Sequence, residues 1–163
     1  METENKQHYI TATAIVVKDG KFLIAKRSPN EKAFPNRWTV PGGKLERTDY
    51  SQRKPDAGEL WYNVLEDVVK REIMEEVGIE VKNIRYITSL AFIRPDQKPG
   101  VIVSFMANYK NGDIKLDSSL IQWEWVDIVQ AKEFDLIEGI YDELQLVYQF
   151  LQTGKMETWK KND

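Results

Sequence analysis

Arg71-Glu72-Ile73-Met74-Glu75-Glu76-Val77-Gly78-Ile79 is the stretch from which this chain can be read. Glutamates spaced by three and four residues share one side of a helix, and Gly78 stands where a helix commonly ends in the left-handed conformation. Toward the N-terminus, Trp61, Val64, Leu65 and Val68 continue that side. At about 100° per residue, they and Glu72, Glu75 and Glu76 all fall within roughly 60° of Trp61. An apolar stripe thus turns into a carboxylate stripe. Asp56 followed three residues later by Glu59 is an Asp version of the capping box, so the predicted helix runs from Asp56 to Val77.

Acidic helix faces are most often simply solvated. Here Glu66, Asp67, Lys70 and Arg71 already provide a polar side, and like charges three and four residues apart repel by a few tenths of a kcal/mol per pair. A divalent cation would remove that repulsion. With no Cys and a single His, His8, a thiolate zinc site, a disulfide, a cysteine nucleophile and the usual serine triad are excluded. Any metal is held by oxygen, which selects hard ions: Mg²⁺ by default, with Mn²⁺ or Ca²⁺ as alternatives.

Outward from the helix, Tyr9–Val17 and Lys21–Ala25 flank Lys18-Asp19-Gly20 as a hairpin, and Trp38–Val40 is a short strand stopped by Pro41-Gly42-Gly43. Ser28–Arg37 and Ser51–Gly58 read as loops. Ile79–Ile93, Val101–Tyr109 and Ile121–Ile128 read as strands, and Gly139–Leu151 has helical apolar spacing. A chain of 163 residues and 19.0 kDa holds one domain, 1–163. Its last ten residues, 154–163, are expected to fray apart from Met156 and Trp159. Strands on both sides of a strong helix, with another helix closing the chain, imply an α/β fold with a mixed sheet between helical layers. The net charge of −3 argues against binding nucleic acid by bulk electrostatics. The polar start and the short apolar runs, about half a bilayer span, predict a cytoplasmic protein with no membrane partner.

Pro41-Gly42-Gly43-Lys44-Leu45-Glu46 precedes the helix by a loop, and its two glycines let main-chain groups approach a ligand closely. Neither a P-loop nor a dinucleotide fingerprint is present. Taken with Trp38-Thr39-Val40 before it, this segment and Arg71–Ile79 closely resemble the Nudix hydrolases, whose box ends Arg-Glu-apolar-x-Glu-Glu-x-Gly-apolar. The matching motif covers about a quarter of the chain. The resemblance implies an α/β/α sandwich and a metal-dependent pyrophosphohydrolase that cleaves a nucleoside diphosphate linked to another group. It implies Glu72, Glu75 and Glu76 as Mg²⁺ or Mn²⁺ ligands, one of them helping to deprotonate water, the Gly42 carbonyl as a further ligand, and Arg71 as the residue that orients the glutamates.

The match has one departure. The acid expected eight residues before Arg71 is Asn63, and the loop after Gly43 is longer than usual. Glu59, one helical turn earlier, is a candidate replacement. For a fourth acidic ligand or a substrate contact the candidate is Asp117, with Glu124 behind it. Lys26 and Arg27 are candidate phosphate contacts, and Trp38, Phe92, Phe105 and Trp123 are candidate stacking surfaces for a base. Pro95 lies near where ADP-ribose-type members carry a proline. The substrate stays open among nucleoside triphosphates, nucleotide sugars and ADP-ribose. Asn63 and the long loop motivate a second hypothesis, a Nudix-fold module that senses a nucleotide without hydrolysing it. The resemblance also implies a homodimer.

Overall fold

The computed structural model describes residues 4–161. Its seven strands form one mixed sheet: β1 (Tyr9–Lys18), β2 (Lys21–Arg27), β3 (Trp38–Thr39), β4 (Gly42–Lys44), β5 (Glu80–Ile93), β6 (Pro99–Asn111) and β7 (Leu120–Val126). The main path is β3-β2-β1-β6-β5, with β4 paired to β1 and β7 to β2. Asp19 and Gly20 both have positive φ, 50° and 73°. That backbone matches strand twist, so the turn closes a tight β1–β2 hairpin. β1 and β6 run parallel from Tyr9 opposite Gly100 to Val17 opposite Asn108. Every other pairing between these strands is antiparallel.

Side-chain alternation along β1 sorts the core into two layers. Ala12, Ala14 and Val16 bury against Val68, Val69, Ile73 and Val77 of helix α2 (Val64–Val77). Ile15 and Val17 bury against Ile140, Leu144 and Val147 of helix α3 (Ile140–Thr153). Each Val, Ile or Leu side chain so buried is worth about 1.5–3 kcal/mol. The result is the α/β/α sandwich the sequence implied. A four-residue helix, α1 (Thr48–Ser51), lies within the stretch after β4.

Helix α2 begins eight residues later than the capping signature predicts. The Asp56 carboxylate does not cap a helix: it takes the Arg53 guanidinium at 2.9 and 3.0 Å and the Tyr62 N–H at 2.8 Å. One charged guanidinium nitrogen shared by both carboxylate oxygens, with a backbone donor beside it, outcompetes the single cap bond that the local pattern offered. Glu59 is therefore exposed and outside the helix, and Trp61 packs against Tyr50 with ring centroids 5.4 Å apart and planes tilted by 55°. Asn63 enters the helix with φ 55° and no side-chain cap. The buried stripe is also rotated. It follows Val68, Val69, Ile73 and Val77; at about 100° per residue Glu76 lies about 20° from Val69 on that buried side, and the exposed Glu75 lies about 120° from it.

Beyond Thr153 the chain returns along α3: Met156 joins the α3-side core, and the Trp159 indole N–H donates to Asp142 at 3.0 Å. Asn162, Asp163 and Met1–Thr3, parts of the two termini read from the sequence, lie outside the described residues. Under α3, the buried Glu143 accepts from Ser104 Oγ at 2.7 Å, and Thr13 Oγ1 donates to that hydroxyl at 3.2 Å. Burial pushes this carboxyl above the usual range, against the Ser104 bond and with the Asp142 charge assisting. A carboxyl raised by folding stabilises the fold while protonated, and that contribution fades as pH rises through its folded pKa. Glu143→Gln is thus expected to gain melting temperature relative to wild type as pH rises. Parallel melts at acidic and alkaline pH check this, and a constant difference would contradict it.

Candidate functional site

The C-terminal half of α2 and the β4 edge meet through three interlocked features. Gly78, φ 72°, closes the helix by donating to the Ile73 and Met74 carbonyls at 3.1 Å each. The following turn is then stitched down, since Lys115 N–H donates to the Val77 carbonyl and Asp117 N–H to that of Glu76, both at 3.0 Å. These bonds satisfy terminal carbonyls and bring Asp117 beside Glu76.

On the other side, Gly42 pairs with Thr13 and Gly43 with Ala12. The Gly42 N–H donates to Glu76 Oε1 at 3.3 Å. Gly43 is required for a different reason. A Cβ at that position would overlap the Glu72 carboxylate, whereas one at Gly42 would strike the Ala12 carbonyl oxygen at 2.6 Å and the Thr13 backbone at 2.8 Å. Close packing of backbone against a carboxylate is what the glycine pair permits.

Arg71 ties the acids together. Its Nη1 donates to Glu72 at 2.7 Å and to Glu75 at 3.2 Å, its Nη2 to the Lys44 carbonyl at 3.2 Å, and its Nε to Asp49 Oδ1 at 2.6 Å. Burial alone would lower the Arg71 pKa, but the Asp49 bond and the charges of Glu72, Asp49 and Glu75 outweigh it and leave it raised. Glu76 is shifted the other way for an acid. Desolvation lifts its carboxyl to about 8; the Gly42 N–H opposes this, while Glu72 and Asp117 reinforce it.

The site therefore gathers Arg71, Glu72, Glu75, Glu76, Gly42, Gly43 and Asp117. Among the described residues no three acids converge into a ready-made metal cage, because Glu72 faces Arg71 and Glu76 faces Gly42. The donor set is nonetheless all oxygen, with mutually repelling carboxylates, and it fits a hard cation that keeps part of its water shell.

Other sequence candidates lie elsewhere. Arg27 donates to the Ala33 carbonyl at 2.8 Å and pairs with Glu31 at 3.1 Å within its own loop. Lys26 sits on β2 between Trp38 and Gln122. Trp38 packs edge-on against Phe134 at 4.7 Å in the α3-side core. Phe105 is buried, whereas Phe92 and Trp123 are exposed; Glu124 is exposed on β7 opposite Ile24. Pro95 belongs to the turn closed by Arg94 N–H on the Lys98 carbonyl at 3.0 Å. Asp49 was not anticipated. Its sequence signal is its spacing: it follows Gly43 after five residues, where the family resemblance places an acid, and the added residues before Arg71 hide that when the count runs back from Arg71.

The family model described as the NUDIX domain matches residues 8–146. Over 62 residues, 37% of this chain, the sequence is 45% identical to the NAD-capped RNA hydrolase NudC of Shigella dysenteriae serotype 1 (strain Sd197); the match spans only 23% of that protein. In fold the chain is similar to the MutT protein from Methanosarcina mazei Go1, with a TM-score of 0.65 and 23% identity, covering 91% of this chain and 97% of that one. It is similarly close to the NUDIX domain of Shewanella oneidensis NrtR in complex with ADP ribose, with a TM-score of 0.64, 21% identity and coverage of 92% and 90%. Since the family model encloses the glycine pair, the acidic helix and every strand of the sheet, and the sheet matches solved relatives, the chain belongs to the Nudix hydrolase family.

Proposed function

We propose that this chain is a divalent-cation-dependent pyrophosphohydrolase acting on a nucleoside diphosphate linked to another group, of the nucleoside triphosphate, nucleotide sugar or ADP-ribose class. The observation that carries this reading is the placement of Glu76 on the Gly42 N–H and of Glu72 against Gly43, with Glu72 and Glu75 held by one arginine. Glu72, Glu75, Glu76 and the Gly42 carbonyl would hold Mg²⁺ or Mn²⁺. When bound, such an ion supplies charge neutralisation at non-bridging phosphate oxygens and acidifies a water. Arg71 keeps Glu72 and Glu75 oriented, and Glu76 is the acid that must give up a proton before it can ligate or act as base. Asp117, Lys26 and Trp38 are the substrate-side candidates; Arg27 would first have to leave Ala33 and Glu31. A cytoplasmic setting and a homodimer belong to the same proposal and rest on composition and family resemblance. Among the described residues no helix is long and apolar enough to cross a membrane.

The proton on Glu76 gives a measurable sign. Below about pH 8 a cation must displace it, so Mn²⁺ affinity is expected to rise by up to about tenfold per pH unit and level off above. Glu76→Gln should flatten that slope in calorimetric titrations. Without metal the linkage reverses: the fold retains this proton more tightly than the unfolded chain, so its stabilising effect fades as pH rises toward 8.

The deciding experiment is a hydrolysis screen of the purified protein with Mg²⁺ and with Mn²⁺ against nucleoside triphosphates, nucleotide sugars, ADP-ribose and dinucleoside polyphosphates, with Glu75→Gln as control. Turnover lost in the variant is the expected result. Nucleotide binding without turnover would replace this reading with the sensing module.

A further inference from the structure

We infer that Glu143, buried on α3, is a positioning residue for the Gly42 edge of the site: through Ser104 on β6 and Thr13 on β1 it fixes the methyl group that packs on Gly42. The inference rests on the reading of that edge as part of a cation-dependent hydrolase. Glu143 and Ser104, 5% and 1% exposed, are two of the three buried polar or charged side chains among the described residues, and one hydrogen-bonded chain takes up both. Thr13 Oγ1 donates to Ser104 Oγ at 3.2 Å, and Ser104 Oγ donates to Glu143 Oε1 at 2.7 Å. Each hydroxyl has a single proton, so the Glu143 acceptor sets the direction of the whole chain. Thr13 and Ser104 stand opposite each other in the parallel β1–β6 register, which keeps the two hydroxyls side by side on the α3-facing side of the sheet.

The far end of that chain touches the site. With its hydroxyl turned to Ser104, Thr13 has one staggered position left for its methyl, Cγ2. That position lies against Gly42, where an added Cβ would come within 2.7 Å of Cγ2. Gly42 is the Cα partner of Thr13 in the β1–β4 ladder, and the preceding Pro41 carbonyl accepts from Ala14 N–H at 2.9 Å. On its other side the Gly42 N–H holds Glu76 Oε1 at 3.3 Å. Contacts therefore run without a break from α3 through β6, β1 and β4 to the acidic helix α2. Stability alone does not account for Glu143. It shares the buried side of α3 with Ile140, Leu144 and Val147, burial holds its carboxyl above the ordinary range, and an apolar side chain of like volume would avoid that cost. What Glu143 supplies, and an apolar residue cannot, is a fixed acceptor for the Ser104 hydroxyl.

Glu143→Met keeps the volume and removes the acceptor. It is expected to lower kcat and Mn²⁺ affinity by about 10-fold, the low end of what the outer partners of a metal ligand cost when removed, with KM little changed. Its melting temperature should equal or exceed that of wild type. In the metal-free protein, hydrogen exchange at the Gly42 N–H should quicken by about 10-fold, a readout that needs neither metal nor substrate. Glu143→Gln, which restores an acceptor, should recover most of the loss. In Thr13→Val both branches are methyls, so one faces Gly42 whatever Ser104 does, and adding Glu143→Met to it should cost no further activity. Thr13→Ser, which keeps the hydroxyl and drops the methyl, should reproduce the Glu143→Met defect. Wild-type Gly42 exchange and Mn²⁺ affinity in Glu143→Met, a loss that comes only with a lower melting temperature, no recovery in Glu143→Gln, or full additivity with Thr13→Val would overturn the inference. A wild type that binds Mn²⁺ without hydrolysing any nucleotide would refute the proposed activity, and the exchange and affinity comparisons would still decide the role of Glu143. A wild type that binds no Mn²⁺ would refute the cation site itself, and Gly42 exchange would still decide whether Glu143 fixes that edge.

Discussion

Glu75→Gln is expected to lower turnover by about 10²- to 10⁴-fold, the range for removing an acid or base from a reacting site, while the melting temperature moves by no more than about 2 °C. Among the three glutamates this one separates chemistry from stability best. Its side chain is 57% exposed and, among the described residues, its one hydrogen-bond partner is Arg71 Nη1, at 3.2 Å, a pair whose loss costs a few tenths of a kcal/mol. Glu72 is less suitable because it is wedged between Gly43 and a 2.7 Å bond from Arg71, so a change there disturbs β4 as well. Glu76 is less suitable because its carboxyl is already raised by burial, so a neutral Gln there changes stability in a pH-dependent way as well. A merely solvated acid at position 75 would leave turnover unchanged, and that result would remove the mechanism. The measurement is steady-state turnover on the best substrate from the screen, with thermal melts alongside.

The parts of this molecule that sequence reveals are those decided locally. The Asp19-Gly20 turn, the β-branched runs of β1 and β6, and the spacing of Glu72, Glu75 and Glu76 follow from backbone preference and periodicity within a few residues. The start of α2 did not follow. Asp56 and Glu59 carry a capping pattern, but Arg53 and the Tyr62 N–H claim the Asp56 carboxylate, and that competition involves an arginine and a backbone donor the pattern does not include. With the start misplaced, Trp61 was counted on a helix it does not belong to, and the buried stripe proved to be Val68, Val69, Ile73 and Val77. Asp49 is the extreme case. It lies 22 residues before Arg71, and their contact exists only once Tyr50, Arg53, Trp61 and Asp67 have folded the intervening loop onto α2. Gly43 was legible as a site for close approach, but not which group approaches it.

That group makes Gly43→Ala the second large effect. A Cβ at position 43 would occupy the space of the Glu72 carboxylate, and the carboxylate, at the end of a flexible side chain, is what must give way. The backbone itself accepts alanine, since Gly43 lies in an extended strand and is not among the positive-φ glycines. Removing a glycine from the unfolded ensemble at a compatible position stabilises by about 0.4–1 kcal/mol. The variant should therefore melt at or slightly above the wild-type temperature while turnover falls on the order of 10²-fold, the scale of effect when a reacting group is displaced by about 1 Å. Gly42→Ala should behave in the opposite way. Its Cβ would strike the Ala12 carbonyl and the Thr13 backbone, at 2.6 and 2.8 Å, neither of which can rotate aside, so overpacking should destabilise the fold by about 1–3 kcal/mol. Thermal melts and turnover of the two variants, measured together, separate a glycine kept for a carboxylate from one kept for a strand. Equal loss of stability in both, or full turnover in Gly43→Ala, would mean that the position of Glu72 does not matter to the reaction.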